Sequence, residues 1–366
     1  MRSRWYCHSW KAGKTVYPAI FFCLLLLLSA CATKAPDTLR KYTSEQHMNF
    51  GMAVHNSFFS EAGDSEYKQV LKTEFNTLVA ENSTKPYAIE PVRGEFEFNK
   101  ADQLVDFARE NGMKMRGHCL VWHKQIPEWM NNDQFSKEEL LSILKEYITT
   151  VVDHFKGEIF AWDVVNEAID ENEEDHFRQT IWTKVIGPEF IDSAFVWAHQ
   201  ADPSALLFYN DYDAENMNKK SDAIYELVKG LKSRGVPING VGLQCHFQLG
   251  KIDFDGIKEN MQRLENLGLQ TQITELDISI DKGNESPEVL QKQAEAYGKM
   301  AQLWIDDKNC TAFIIWGLTD KYSWIPQFSK NERGSALLYD ENFNRKPAYN
   351  QILQQLKSYS FNYKPE

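Results

Sequence analysis

Phe160-Ala161-Trp162-Asp163-Val164-Val165-Asn166 followed by Glu167 is a short, mostly apolar run rich in β-branched and aromatic residues, and it ends abruptly in an amide and a carboxylate. A run of that length and composition predicts a buried strand of a parallel sheet rather than a helix. Runs of the same kind recur on either side of it. They are Asn49 to Val54, Thr77 to Asn82, Lys114 to Trp122, Ala205 to Asp211, Gly240 to His246, Gln270 to Ile278 and Thr311 to Trp316. Between them lie segments with helical apolar spacing, such as Lys137 to His154, Lys219 to Arg234, Asp255 to Leu267 and Pro287 to Asp306.

Eight strands, each followed by a helix or helical loop, predict an α/β fold of the (β/α)8 TIM-barrel type. A doubly wound open sheet is the alternative, but no glycine-rich phosphate loop opens the first βα unit. No Pro/Gly/Ser-rich linker or low-complexity run interrupts the chain after its beginning, so one domain is expected over residues 44–358, with a short tail at 359–366. The 366 residues are 43% hydrophobic and 25% charged, which suits a large buried core and excludes disorder. With 40 basic against 52 acidic residues the net charge is −12, and a nucleic-acid partner is excluded. Aromatic residues reach 13%, with ten tryptophans; flat rings of this kind suit sugars as well as cores.

The amino terminus reads as a targeting segment. Arg2, Arg4, Lys11 and Lys14 precede an apolar stretch from Ala19 to Leu28 that is short for a membrane span, and it closes on Leu28-Ser29-Ala30-Cys31. That ending resembles a bacterial lipoprotein box, which implies lipidation at Cys31, a signal peptide over 1–31 and a polar tether over 32–43. The expected location is the cell envelope, lipid-anchored and periplasmic or at the cell surface; an ordinary secreted protein is the alternative. Of six cysteines, Cys7, Cys23 and Cys31 fall in this leader, so Cys119, Cys245 and Cys310 are expected as buried free thiols rather than a disulfide framework.

In such a barrel, chemistry gathers at the carboxyl ends of the strands. The polar residues gather there. Strand three closes on His118 and Trp122, strand four on Asn166-Glu167, strand five on Asn210-Asp211-Tyr212, strand six on Gln244-Cys245-His246, strand seven on Glu275-Leu276-Asp277 and strand eight on Trp316. Residues two apart share a face, so Gln244 with His246, and Glu275 with Asp277, should project together. Two glutamates on strands four and seven, with histidines, amides and tryptophans around them, are what acid/base and nucleophilic attack on a glycoside requires.

Four segments carry a resemblance to glycoside hydrolase family 10, the endo-β-1,4-xylanases: Gly117-His118-Cys119-Leu120-Val121-Trp122-His123, Trp162 to Ala168, Ile273-Thr274-Glu275-Leu276-Asp277, and Trp316 to Trp324. They come in family order and spacing. The resemblance implies a retaining hydrolysis of internal β-1,4-xylosidic bonds, with Glu167 as acid/base and Glu275 as nucleophile. It further implies support of Glu275 by His246 and Asp277, and sugar contacts from Glu81, Asn82, Lys85, His118, Trp122, Asn166, Asn210, Tyr212, Gln244, Trp316 and Trp324. It also implies a cis peptide bond between His118 and Cys119.

Two positions depart from the family pattern: Pro86 stands where tryptophan is usual, and Cys119 where threonine is usual. No cofactor and no metal are expected, the partner is xylan or a xylo-oligosaccharide, and the chain is expected to be a monomer. Three other readings are distinguishable. A β-1,4-glucanase or cellobiosidase could use the same barrel; a non-catalytic glycan-binding lipoprotein would lack one glutamate, and both are present. A metal hydrolase using His118, His123, His246 and Asp277 would usually open with His-x-His on strand one, whereas Gly51-Met52-Ala53-Val54-His55-Asn56 has none.

Overall fold

The structure is a computed structural model that describes residues 37–59, 64–131, 134–174 and 176–362. Cys31 and the leader lie outside the described residues.

Each short apolar run becomes a parallel strand because the amphipathic segment after it carries the chain back along the outside. The strands are β1 (Asn49–Val54), β2 (Thr77–Ala80), β3 (Lys114–Val121), β4 (Ile159–Asn166), β5 (Leu206–Asp211), β6 (Gly240–Leu243), β7 (Gln270–Asp281) and β8 (Cys310–Ile315). Each pairs in parallel with the next, and β8 pairs with β1 through Gly51↔Ile314 and its neighbours, so the sheet closes into a barrel with no free edge. The (β/α)8 expectation is met.

The helix Lys137–His154 shows why the outer layer forms. Ser136 and Glu139 make a reciprocal capping box, and Leu140, Ile143, Leu144, Tyr147, Ile148, Val151 and Val152 fall on one buried face. The helices Pro287–Asp306 and Pro347–Asn362 pack on each other in the same layer. The barrel interior is a separate, thinner core. Ala53, Val79, Ala312 and Ile314 fill part of it. Arg116 is also buried there, and its guanidinium pairs with Asp163 of β4 and donates at 2.8 Å to Gln272 of β7. A buried arginine is tolerable in such a place because all its charge is met by carboxylate and amide oxygen.

Four expectations need correction. The segment expected as a polar tether over 32–43 joins the fold in its last part: Leu39–Glu45 is helical, Leu39 is fully buried, and its N–H donates to Glu74 at 3.0 Å. Arg40 binds the carbonyls of Lys72, Asn111 and Gly112, which fixes this helix across the loops entering β2 and β3. The last helix runs to Asn362, into the segment expected as a tail from 359. Strand six stops at Leu243, Cys245 adopts φ +62°, and His246–Gln248 forms a separate short strand beside Asp277–Ser279. Strand seven continues past Ile278 to Asp281, where Arg333–Gly334 pairs with it antiparallel.

Candidate active site

At the carboxyl end of the barrel lies a cleft of about 770 Å³, and among its lining residues are Glu81, Asn82, Lys85, His118, Trp122, Asn166, Glu167, Tyr212, Gln244, His246, Glu275, Asp277, Trp316 and Trp324. Of the expected site residues that are described, all but Asn210 are there; Cys31 lies outside the described residues. A roomier groove of about 950 Å³ runs outside the barrel between the helices Phe190–Ala201 and Lys219–Ser233. None of those residues reaches it, so volume alone does not locate the chemistry.

Glu275 projects from β7 into the cleft and is 4% exposed. Its Oε1 accepts from Asn210 Nδ2 at 2.8 Å, and its Oε2 lies 3.2 Å from His246 Nε2. The other imidazole nitrogen of His246 lies 2.9 Å from Asp277 Oδ2, which also accepts from the Trp324 indole at 2.9 Å. Burial works against a charged His246, but the charge of Asp277 and the bonds to both carboxylates outweigh it and hold the ring protonated well above its ordinary range. Burial likewise acts to raise Glu275. The His118 imidazole and the His246 N–H and charge win, so its carboxyl sits below the ordinary value of 4.5, as nearby positive charge and donated hydrogen bonds require. Glu275 is therefore an anion at neutral pH, desolvated yet held by two donors.

Glu167 follows β4 directly with φ +56°, a left-handed conformation unusual for a residue bearing a Cβ. The surrounding bonds enforce it. Its N–H donates to Asn210 O at 2.9 Å, Arg178 Nε donates to its carbonyl at 3.0 Å, and the next two N–H groups, of Ala168 and Ile169, donate to Tyr209 Oη at 3.0 and 3.1 Å. The side chain accepts from Trp122 Nε1 at 2.9 Å and from Gln244 Nε2 at 3.1 Å. The Asn166 amide lies 2.9 Å from the Asn210 amide and 3.3 Å from that of Gln244. A continuous run of amides thus links the two carboxylates.

Asn210 is the one misplaced expectation. It is fully buried beneath the cleft, its amide on Glu275 and its Oδ1 accepting from Thr274 at 2.7 Å, so it orients a carboxylate instead of touching sugar. The other cleft residues stand as expected in position. Lys85 Nζ donates to Gln125 Oε1 at 2.7 Å and lies 4.8 Å from the Trp122 ring, with Asn82 beside it and Glu81 bonded to Asn82. His118 Nδ1 lies 2.9 Å from Asp163, and its ring meets Trp316 edge-on at 5.2 Å. Tyr212 Oη accepts from Arg178 at 2.8 Å, and Lys220 Nζ, paired with Asp211, lies 3.1 Å from the Tyr212 ring centroid.

The departures from pattern are absorbed locally. Pro86 begins the short helix Pro86–Ile89, where its missing N–H costs nothing. Cys119 is fully buried and burial pushes its thiol well above 9, so it supplies no thiolate. Cys119, Cys245 and Cys310 are all free and buried, and the His118–Cys119 bond is cis.

Four residues that sequence reading left without a role support the site. Arg116 and Asp163 lie beneath His118; Asp163 stood in the strand-four motif and Arg116 just before the strand-three motif, and only the pairing register assigns them. Arg178 has no motif. Glu215 is buried, its carboxyl pushed up to about 7 by burial, and it accepts the N–H of Cys245 at 2.7 Å. That bond pins the turn that sends Gln244 to Glu167 and His246 to Glu275.

A barrel with paired carboxylates on β4 and β7, a desolvated anion on one and aromatic walls around both, defines a glycoside hydrolase. The chain belongs to glycosyl hydrolase family 10: the family model matches residues 38–355. It is 43% identical over 329 residues to endo-1,4-beta-xylanase B of Thermotoga neapolitana, covering 89% of this chain and 94% of that one. Native xylanase 10B from Thermotoga maritima superposes with a TM-score of 0.86 at 42% identity, covering 89% of this chain and all of that one. Xylanase 10B from Thermotoga petrophila RKU-1, solved in complex with xylobiose, gives 0.85 at 42% identity, with 88% and 97% covered.

Proposed function

We propose that this chain is an endo-acting β-1,4-xylanase that hydrolyses internal bonds of xylan with retention of configuration. The observation that carries the reading is a pair of buried glutamates facing one cleft and joined by a run of amides. Glu275, anionic and fixed by Asn210 and His246, is the nucleophile: it attacks the anomeric carbon while Glu167 gives its proton to the departing glycosidic oxygen. The resulting glycosyl ester removes the charge on Glu275. Glu167, now a carboxylate steered by Trp122 and Gln244, takes a proton from water, which attacks the same carbon and releases Glu275. Two inversions make a retention, for which the carboxyls should stand about 5 to 5.5 Å apart. Asn166 and Gln244 lie between the two carboxylates, where a sugar hydroxyl would sit, and Lys85, Trp122, Trp316 and Trp324 supply the polar and flat surfaces that a pentose chain needs.

Purified protein given arabinoxylan, cellulose and mixed-linkage β-glucan should release short xylo-oligosaccharides from the first at least about tenfold faster than it cuts either glucan, a margin within reach of pocket contacts. Faster cleavage of the soluble glucan would overturn the substrate assignment and favour a glucanase.

The leader supports a lipid anchor on Cys31 and a place in the bacterial cell envelope, from the basic segment, the short apolar stretch and Leu28-Ser29-Ala30-Cys31. The native protein should partition with membranes, and Cys31→Ser should abolish both lipidation and that partition. A Cys31→Ser protein processed and membrane-bound as before sinks this idea. The catalytic domain is read as a monomer, because one chain supplies the cleft residues named above; a dimer mass by light scattering would contradict this.

A further inference from the structure

The carboxyl extension of β7 carries more than the catalytic carboxylate. Glu275, Asp277, Ser279 and Asp281 share one face of the strand. Each meets a different side chain: Glu275 and Asp277 meet His246, Asp277 also meets Trp324, Ser279 meets Arg333 and Asp281 accepts from Gln248 at 2.8 Å. Ser279 is four residues beyond Glu275, roughly 13 Å along the strand, too far for a group serving the ring under attack.

Arg333 lines the cleft wall at this height and is half-buried. Among the described residues its guanidinium has only the Ser279 hydroxyl, at 3.4 Å. Arg116, Arg178, Arg263 and Arg345 each hold a carboxylate, Arg40 holds three carbonyls and Arg93 lies over the rings of Trp129 and Phe135. The acid facing it across the strand pair, Asp281, is engaged by Gln248 instead. Beside it stands Phe328, 62% exposed, lining the same cleft with its ring 4.7 Å from that of Trp324. An exposed ring and a guanidinium outside any salt bridge on one cleft wall match a sugar that bears a carboxylate, since the ring stacks on the C–H face and the fork takes both oxygens.

We propose that Arg333 and Phe328 form a shelf that binds a uronic-acid branch of the xylan main chain. The proposal rests on the xylanase reading and names the decoration that this cleft accepts. The chain's overall net charge of −12 opposes an acidic polymer. At physiological salt, charges beyond about 8 Å are screened, so what counts is the guanidinium against its near neighbours Asp277 and Asp281, which are bonded to His246 and Trp324 and to Gln248.

The test compares wild type, Arg333→Gln and Arg333→Lys on linear xylohexaose, on glucuronoxylan and on glucuronoxylan whose carboxyls have been reduced to alcohols. Arg333→Gln should lower kcat/KM on glucuronoxylan about five- to tenfold at low salt and less than twofold on the other two substrates. Arg333→Lys should keep part of the preference, and 0.5 M NaCl should narrow the difference for wild type. An equal loss on all three substrates would mean a structural role, and an unchanged rate on glucuronoxylan would mean no contact; either overturns the proposal. A wild type inactive on xylohexaose would instead overturn the xylanase reading beneath it.

Discussion

Glu275→Ala should lose hydrolysis of xylan and of aryl xylobiosides alike, each by about 10⁴-fold or more, because removing the nucleophile closes the covalent route whatever the leaving group. Burial makes the loss steep. Glu275 is desolvated, fixed by Asn210 and His246 and held ionised, so neither water nor a neighbouring side chain replaces it. Azide added to this variant should attack the anomeric carbon directly from the emptied face and give the inverted, α-linked glycosyl azide. A variant that keeps good aryl-glycoside activity, or that yields a β-linked azide, would remove Glu275 from its role.

Glu167→Ala should divide substrates by their need for a proton. Xylan leaves as a poor alkoxide and should slow by about 10² to 10⁴-fold, whereas a nitrophenolate departs unaided and should form the glycosyl-enzyme at a rate near wild type. The ester then waits, since water has no base, and the reaction should show a burst followed by slow turnover. Azide needs no base. It should accelerate that turnover and give the β-linked azide, the opposite anomer from Glu275→Ala. Equal losses on xylan and on aryl glycosides, or exchanged anomers between the two variants, would reverse the assignments.

The parts legible from the sequence are those set by local pattern. Strand β4 and its Asn166-Glu167 ending needed only a short apolar run followed by polar residues, and the barrel followed from eight such runs. What stayed hidden depends on side chains brought from far along the chain. The break at Cys245 looks like an uninterrupted strand until Glu215, thirty residues earlier, takes its N–H. The resemblance placed Asn210 among the sugar contacts with its strand-end neighbours; its burial under Glu275 depends on a partner 65 residues away and on the register between β4 and β5, which shifts between Asp163 and Val165. The helix Leu39–Glu45 carries a polar sequence that reads as a linker, since one buried leucine and a capping threonine are little signal; Glu74 and the carbonyls around Arg40 hold it in place.

That same helix marks one pole of the barrel. It lies across the loops that enter β2 and β3, at the pole where strands begin, and the cleft opens at the pole where they end. Leu39–Glu45 therefore lies on the side of the barrel opposite the substrate cleft. A long polymer lying across the open cleft thus meets neither this helix nor the strand-entry loops that it covers.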